Sequence, residues 1–346
     1  MAAQLGGGHK ETILCVTTTN DGRLVSGGDN GELCIWPLDG AAPQMHEVDT
    51  NDITSICCPK SNTHDLYVAS GQKVLRFDMR QMSQPLHTFD HNEDEINQIA
   101  LHEKEDYLAA CDDSGQIKIF NLQTKQVYKT LRKHTNICSS VAFRPNRPWD
   151  LLSAGMDCNL LQWDFSKNRA YCSVDMTELR SDDDDVESYL VNPPFIYSMH
   201  LSPNGTRLAC GLENALVQVF DSSKRTVAFM CTLRGHTSGV SQVHFPNFTD
   251  QLITAGNDGH IFFWDIKDCA PRMTNGHATD HHANGHANGH PPADVQVANQ
   301  STSISPRRLI QHGDKINWMT SVEHNGQKTV VIADNTSNLT LYPLTE

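Results

Sequence analysis

Two stretches of the chain place a histidine, a hydroxyl, an aspartate and a tryptophan at nearly equal intervals: His134, Ser153, Asp157 and Trp163, then His236, Thr254, Asp258 and Trp264. A histidine between a hydroxyl and a carboxylate is the constellation that turns a serine or threonine into a nucleophile. Such a nucleophile must stand open beside a substrate pocket. Here the set recurs in separate segments, each time closed by a bulky indole. A third copy nearly completes it with His9, Ser26, Asn30 and Trp36. Recurrence of this kind points to a structural unit repeated along the chain, so no catalytic residue and no enzyme activity are expected.

Other groups could hold a metal or a charged partner. Five histidines (His277, His281, His282, His286, His290) lie in a tract that repeats Ala-Asn-Gly-His and runs into Pro291-Pro292. Imidazole suits zinc, nickel or copper, but this composition, without cysteine or rigid spacing, cannot bury enough apolar surface to fold. Residues 268–305 are therefore predicted to be a disordered low-complexity insertion, with no metal or cofactor assigned. A second insertion, 176–190, carries Glu178, the run Asp182 to Asp185 and Glu187. Like charges in a block read as a solvated acidic loop; the alternative is a landing strip for a basic partner.

The eleven cysteines, spread from Cys15 to Cys269, contain no Cys-x-x-Cys pair, and most lie in apolar runs where a free thiol acts as a small hydrophobe. Their odd number, and a glycine-rich start without an apolar leader, fit a reducing compartment. Cytoplasm, nucleus or both are expected. A net charge of −14 repels a phosphate backbone and attracts basic proteins, so direct nucleic-acid binding is not expected. No apolar run approaches the ~18–20 residues that a membrane-spanning helix needs.

The elements that must position these residues follow from the repeat. His134 opens HTNICSSVAF and leads to LLSAGMDCNLLQWDF; His236 opens HTSGVSQVHF and leads to LITAGNDGHIFFWDI. Weaker copies start at His9, Asp49, His91, Asn192 and His312. Four of the six steps between starts fall near the ~40–45-residue period of four-stranded blades, and the two long steps hold the insertions. Within each unit apolar residues alternate, as in Leu33-Cys34-Ile35-Trp36, and Asp/Asn-Gly clusters separate the runs. Period-two patterning with such turns reads as short antiparallel strands. A sandwich or up-and-down barrel would explain the strands but not the recurring His/hydroxyl/Asp/Trp register.

On these residues the chain resembles the WD-repeat family over nearly its whole length. That resemblance implies an all-β fold: residues 1–346 as one seven-bladed β-propeller of four-stranded antiparallel blades. The segment Ala3 to Gly6 would supply the outer strand missing from the C-terminus and so close the ring. It also implies a role for the recurring set: tryptophan donates to the hydroxyl, the hydroxyl to histidine, and histidine to the acid. The other units have lost parts of it. The second keeps Asp49, Gly71 and Phe77, the third His91, Ala110, Ser114 and Phe120. The fifth has Asn192, Cys210, Asn214 and Phe220, and the seventh His312, Ile332, Thr336 and Tyr342. Those blades are expected to rely on apolar packing.

One position stands apart. The second unit closes on Phe77-Asp78-Met79-Arg80, and two residues past the Asp position the other units have Asp39, Gln123, Ser166, Ser223, Lys267 and Thr345. The segment is similar to the Trp-Asp-x-Arg box of WD-repeat substrate receptors, which dock on the damaged-DNA-binding adaptor of cullin-four ubiquitin ligases, although Phe77 departs from the tryptophan. Arginine's planar five-donor fork suits carboxylates and carbonyls across an interface; the plain alternative is a surface arginine. The resemblance implies a monomeric, non-catalytic protein-interaction module, with Phe77, Asp78 and Arg80 as the docking set of a ligase substrate receptor. A generic scaffold, or a reader of basic peptides such as histone tails, is the alternative.

Overall fold

The computed structural model describes residues 2–179, 192–246, 250–267, 269 and 304–344. The strands form seven four-stranded antiparallel sheets. The chain opens with β1 (Ala3–Leu5). Blade 1 is β2 (Ile13–Thr18), β3 (Leu24–Gly28), β4 (Glu32–Trp36) and β5 (Gln44–Glu47). Blade 2 is β6 (Ile53–Cys57), β7 (Asp65–Ser70), β8 (Lys73–Asp78) and β9 (His87–Asp90). Blade 3 is β10 (Ile96–Leu101), β11 (Tyr107–Asp112), β12 (Gln116–Asn121) and β13 (Gln126–Arg132). Blade 4 is β14 (Cys138–Phe143), β15 (Asp150–Gly155), β16 (Asn159–Asp164) and β17 (Arg169–Asp175). Blade 5 is β18 (Ile196–Leu201), β19 (Arg207–Leu212), β20 (Leu216–Asp221) and β21 (Ala228–Arg234). Blade 6 is β22 (Gln242–His244), β23 (Gln251–Ala255), β24 (His260–Asp265) and β25 (Arg308–Gln311). Blade 7 takes β26 (Ile316–His324), β27 (Gln327–Asp334) and β28 (Leu339–Pro343), and β1 completes it by pairing Ala3 with Leu341 and Leu5 with Leu339. The expected closure is present, and it covers what would otherwise be an open sheet edge.

Because neighbouring strands run antiparallel, the turns between first and second strands and between third and fourth leave each blade on one face, called the lower. Connections between blades, and the turns between second and third strands, lie on the upper face. The 176–190 insertion starts in a short 3-10 turn, Met176–Leu179, and joins blades 4 and 5 on the upper side; residues 180–191 lie outside the described residues. The second insertion falls inside blade 6, between β24 and β25, on the lower side. Its expected disorder and its five histidines lie outside the described residues.

The core sits between blades rather than within one central mass. Between blades 3 and 4, for example, Ile117, Ile119 and Leu131 meet Val141, Leu151 and Trp163. Burying one such side chain stabilises by about 1.5–3 kcal/mol, and the ring repeats the arrangement at each interface. A polar tie accompanies the apolar contacts. The first ladder of most blades skips one residue near the start of its inner strand. A carbonyl there is taken up by a side chain from the preceding blade: Thr54 to Ile96 (2.5 Å), Asn97 to Cys138 (3.3 Å), Ser139 to Ile196 (2.5 Å), Ser241 to Ile316 (2.6 Å) and Asn317 to Ile13 (3.1 Å). A small polar residue just after the apolar strand start was the available signal in the sequence.

A stronger tie joins blades 4 and 5. Arg144, only 2% exposed, follows directly on the inner strand of blade 4 and donates to three carbonyls of the blade 5 turn: Ser222 (2.7 Å), Lys224 (2.6 Å) and Arg225 (2.6 Å). It also reaches Asp150 at 3.4 Å and Tyr171 at 3.3 Å. Cys231 and Cys269 are joined as a disulfide, Cα to Cα 6.1 Å, linking blade 5 to the start of the second insertion. The other nine cysteines are free, in keeping with the reading of most of them as small hydrophobes in apolar runs.

Candidate functional site

In blade 4 the Trp163 indole donates to Ser153 Oγ (2.8 Å), Ser153 lies 2.7 Å from His134 Nε2, and His134 Nδ1 lies 3.0 Å from the Asp157 carboxylate. Blade 6 repeats it: Trp264 to Thr254 (2.9 Å), Thr254 to His236 Nε2 (2.8 Å), His236 Nδ1 to Asp258 (3.1 Å). Ser153 and Thr254 are fully buried. Each hydroxyl accepts from an indole and donates to an imidazole, so it faces protein on both sides rather than a cleft. The aspartates also accept backbone donors, from Thr135 and Asn159 at Asp157 and from Thr237 and His260 at Asp258. Each chain therefore clamps the loop before an inner strand to the turn between the next two.

Blade 1 differs from the expected set. Trp36 donates to Ser26 (2.7 Å) and Ser26 meets His9 Nε2 (2.6 Å), but His9 Nδ1 meets Glu32 Oε2 at 3.2 Å, not Asn30. Asn30 sits exposed in the left-handed region (φ 57), and its backbone N–H goes to Asp52. Glu32, two residues on, is buried and accepts from the Lys10 amide as well. Blades 3 and 7 likewise are not held by apolar packing alone. Asp112 accepts from Asn92 and Ser114. In blade 7 His312 reaches Asp334 (2.8 Å) and the Tyr342 hydroxyl (2.8 Å) directly. The acid has moved two residues earlier, to the end of the second strand, which is why the four-residue spacing from the hydroxyl position missed it.

These environments set protonation. Burial alone would raise Asp157, Asp258 and Asp334, but hydrogen bonds from the neighbouring histidine and from backbone or side-chain donors outweigh it and hold all three below the ordinary value of 3.8. Burial lowers His9 and His236 from 6.5, against the pull of Glu32 and Asp258. It pushes His200, which packs 4.8 Å from the His244 ring across blades 5 and 6, down to about 4. A histidine held neutral contributes stability that is full above pH ~6.5 and is lost as pH falls toward its folded value. The aspartates contribute above ~3.8 and lose that contribution below it. The melting midpoint is therefore expected to be flat between pH ~7 and ~8, to fall from ~6.5 toward 4, and to fall further below ~3.8; burial raises thiols such as Cys15 and Cys34, so it falls again above pH ~9. A midpoint constant from pH 7 to 4 would contradict the buried neutral histidines.

The expected docking residues separate in space. Phe77 is 1% exposed and packs between blades 1 and 2 with Leu66 and Met79, so it supports the turn rather than touching a partner. Asp78 and Arg80 form a two-pronged pair, Nε to Oδ1 2.9 Å and Nη2 to Oδ2 2.6 Å, and the Arg80 side chain is 66% exposed on the lower face. The Asp78 carboxylate also accepts the Arg80 amide (2.9 Å), and the equivalent turn occurs at Asn121, Asp221 and Asp265. The Arg80 hydrogen bonds hold the Asp78 carboxyl far below the ordinary range. Among the described residues no group of three or more His, Cys, Asp or Glu side chains is placed to hold a metal ion, and no helix is long and apolar enough to cross a membrane.

Seven four-stranded blades, three of them with a complete tryptophan–hydroxyl–histidine–acid chain, make a seven-bladed β-propeller, and the comparisons agree. The family model described as WD domain, G-beta repeat, matches residues 4–37, 83–121, 125–164 and 228–265, so the chain carries WD40 repeats. The matched segments end in blades 1, 3, 4 and 6, which include the three with a complete chain. The WD repeat-containing protein 53 homolog of Dictyostelium discoideum is 26% identical over 360 residues, covering 96% of this chain and 92% of that protein. Periodic tryptophan protein 2 of Arabidopsis thaliana is 24% identical over 186 residues, 54% of this chain and 18% of that one. The crystal structure of the WD40 β-propeller domain of Doa1 superposes with a TM-score of 0.70 at 11% identity, covering 100% of this chain and 96% of that one. The family is generally non-catalytic, and its propellers commonly bind protein partners.

Proposed function

We propose that this protein is a non-catalytic interaction module that serves as a substrate receptor, docking through the Asp78–Arg80 turn on the damaged-DNA-binding adaptor of a cullin-four ubiquitin ligase. The observation that carries the reading is the exposed Arg80 guanidinium, fixed by Asp78 on the face opposite the histidine-bearing loops. A fork already oriented loses little side-chain freedom on binding and keeps further donors for a carboxylate or carbonyl. The upper face stays open for the protein to be modified. Hydrogen exchange of the full chain with and without purified adaptor tests the geometry. Protection is expected around residues 78–82 and absent from the loops at 134–137 and 236–240; the reverse pattern, or none, contradicts it.

The reading of the protein as a scaffold or binder of basic peptides draws on a different observation. Burial and the charges of Asp113, Asp52 and Asp94 raise the Glu95 carboxyl on the upper face, a crowding that a cationic partner would relieve, in a chain of net charge −14. Nine unpaired cysteines support placement in the cytoplasm or nucleus; the Cys231–Cys269 link runs against it.

A further inference from the structure

Charge is sorted between the two faces of the ring. The lower-face turns of blades 2 to 5 carry Lys60, Arg80, Lys125, Arg147, Lys167 and Lys224, whereas the upper loops carry Asp49, Asp52, Asp94, Glu95, Asp113 and Asp314. In a chain of net charge −14, the lower face is therefore the side on which an acidic partner can approach. An open cleft of about 590 Å³ lies on that face, at the joint of blades 2 and 3.

Strand alternation builds its wall. Tyr67 on β7 packs toward blade 3, and Asp65, two residues earlier, and Arg76, its cross-strand partner on β8, line the cleft with it. Lys60 stands on the blade 2 rim, and Glu103, Lys104 and Glu105 stand on the blade 3 rim. The acceptors of the cleft are already engaged. Asp65 takes Arg76 Nη2 (2.5 Å), Glu103 takes the Asn146 amide (2.8 Å), and Glu105 takes the Lys60 and Ser61 amides (2.6 and 3.1 Å). The donors are not. Among the described residues no carboxylate pairs with the exposed Lys60 or Lys104 ammonium, Arg76 commits only Nη2, and the Tyr67 hydroxyl has no hydrogen-bond partner. Three cationic side chains and a hydroxyl from two blades thus border one open space with donors to spare.

We propose that this cleft receives an acidic side chain, aspartate or glutamate, from a loop of a partner protein seated on the lower face. Its carboxylate would accept from Lys60 and Lys104 across the joint, with Arg76 and Tyr67 supplying further donors from the wall. Charge-assisted hydrogen bonds of this kind select an acid over its amide. The three carboxylates on the same walls disfavour the continuous phosphates of a nucleic acid, which need a stretch free of negative charge. The inference rests on the propeller being a protein-binding module and not on which protein docks at Arg80.

The test titrates the full chain at low salt with a rhodamine-labelled Gly-Gly-Glu-Glu-Gly-Gly peptide, and with the same peptide carrying glutamine in place of glutamate, read by fluorescence anisotropy. The glutamate peptide is expected to bind about tenfold or more tighter. Changing both exposed lysines, Lys60→Gln with Lys104→Gln, should remove that advantage and leave the melting midpoint unchanged. Lys224→Gln, on the same face outside the cleft, should bind like the wild type. Arg80→Gln should do so too, which tells failure of acidic-peptide binding apart from failure of adaptor docking. Equal affinity for the two peptides, no binding at all, or an unaffected double variant would overturn the proposal. A loss in Lys224→Gln as large as in the double variant would overturn the cleft as the site. An oligouridine that binds more tightly than the glutamate peptide through the same two lysines would overturn the assignment to a protein partner.

Discussion

Replacing Arg144 by alanine is expected to destabilise the propeller by about 3–5 kcal/mol, more than the loss of any single acid from the hydrogen-bonded chains. Its guanidinium is the side-chain donor to the carbonyls of Ser222 and Lys224, and it shares the Arg225 carbonyl with Tyr171. Removing a buried charged partner strands its acceptors and typically costs that much. The truncation also leaves a void beside Phe143 and the blade 5 turn, adding a packing loss. Arg144→Lys keeps the charge but not the fork, so one or two carbonyls stay unpaired and a smaller loss follows. The chemical-denaturation midpoint measures both. A loss below about 1 kcal/mol for the alanine variant would show that the clamp contributes little.

The second large effect concerns the recurring chain. Thr254→Val keeps the volume nearly constant and removes the one hydroxyl that joins Trp264 to His236. Two buried polar groups then lose their partner at ~1–3 kcal/mol each. Asp258→Ala strands the His236 Nδ1–H and the Thr237 amide, which lies nearer solvent, and should cost ~1–3 kcal/mol. Phe120, at the matching place in blade 3, is held by apolar contact with Phe89 and Leu108, so Phe120→Leu should behave as lost packing alone. Negligible shifts for both blade 6 variants would contradict the hydrogen-bond account.

What could be read in the sequence was whatever repeats at fixed spacing. The His134 and His236 units kept all four residues in register; their period implied the blades, and the resemblance they carry implied seven of them with a closing segment at Ala3 to Gly6. Substitutions that preserved the chemistry but moved it were not legible. Glu32 acts from two residues past Asn30 because a longer side chain on the third strand reaches the same imidazole. Asp112 and Asp334 act from two residues before the expected place. Arg144 left no signature, because its acceptors are backbone carbonyls that any sequence supplies. Phe77 was read as part of the docking set with Asp78 and Arg80, yet a period-two strand puts that side chain inward, where its large apolar ring packs between blades.

The central functional claim, that the lower-face fork of Arg80 docks the ligase adaptor, is tested most directly by measuring the affinity of purified adaptor for wild-type protein, for Arg80→Glu and for Lys267→Glu, the corresponding change in blade 6. Arg80 is exposed and its hydrogen bonds go to Asp78 in the same turn, so its replacement should leave the melting curve unchanged. A charge pair desolvated at an interface is worth ~2–5 kcal/mol when one partner is lost. Arg80→Glu should then weaken binding by about 30-fold or more, while Lys267→Glu binds like the wild type. Wild-type protein that fails to bind the adaptor, or an Arg80→Glu variant that binds it equally well, would contradict the claim and leave the scaffold reading in its place.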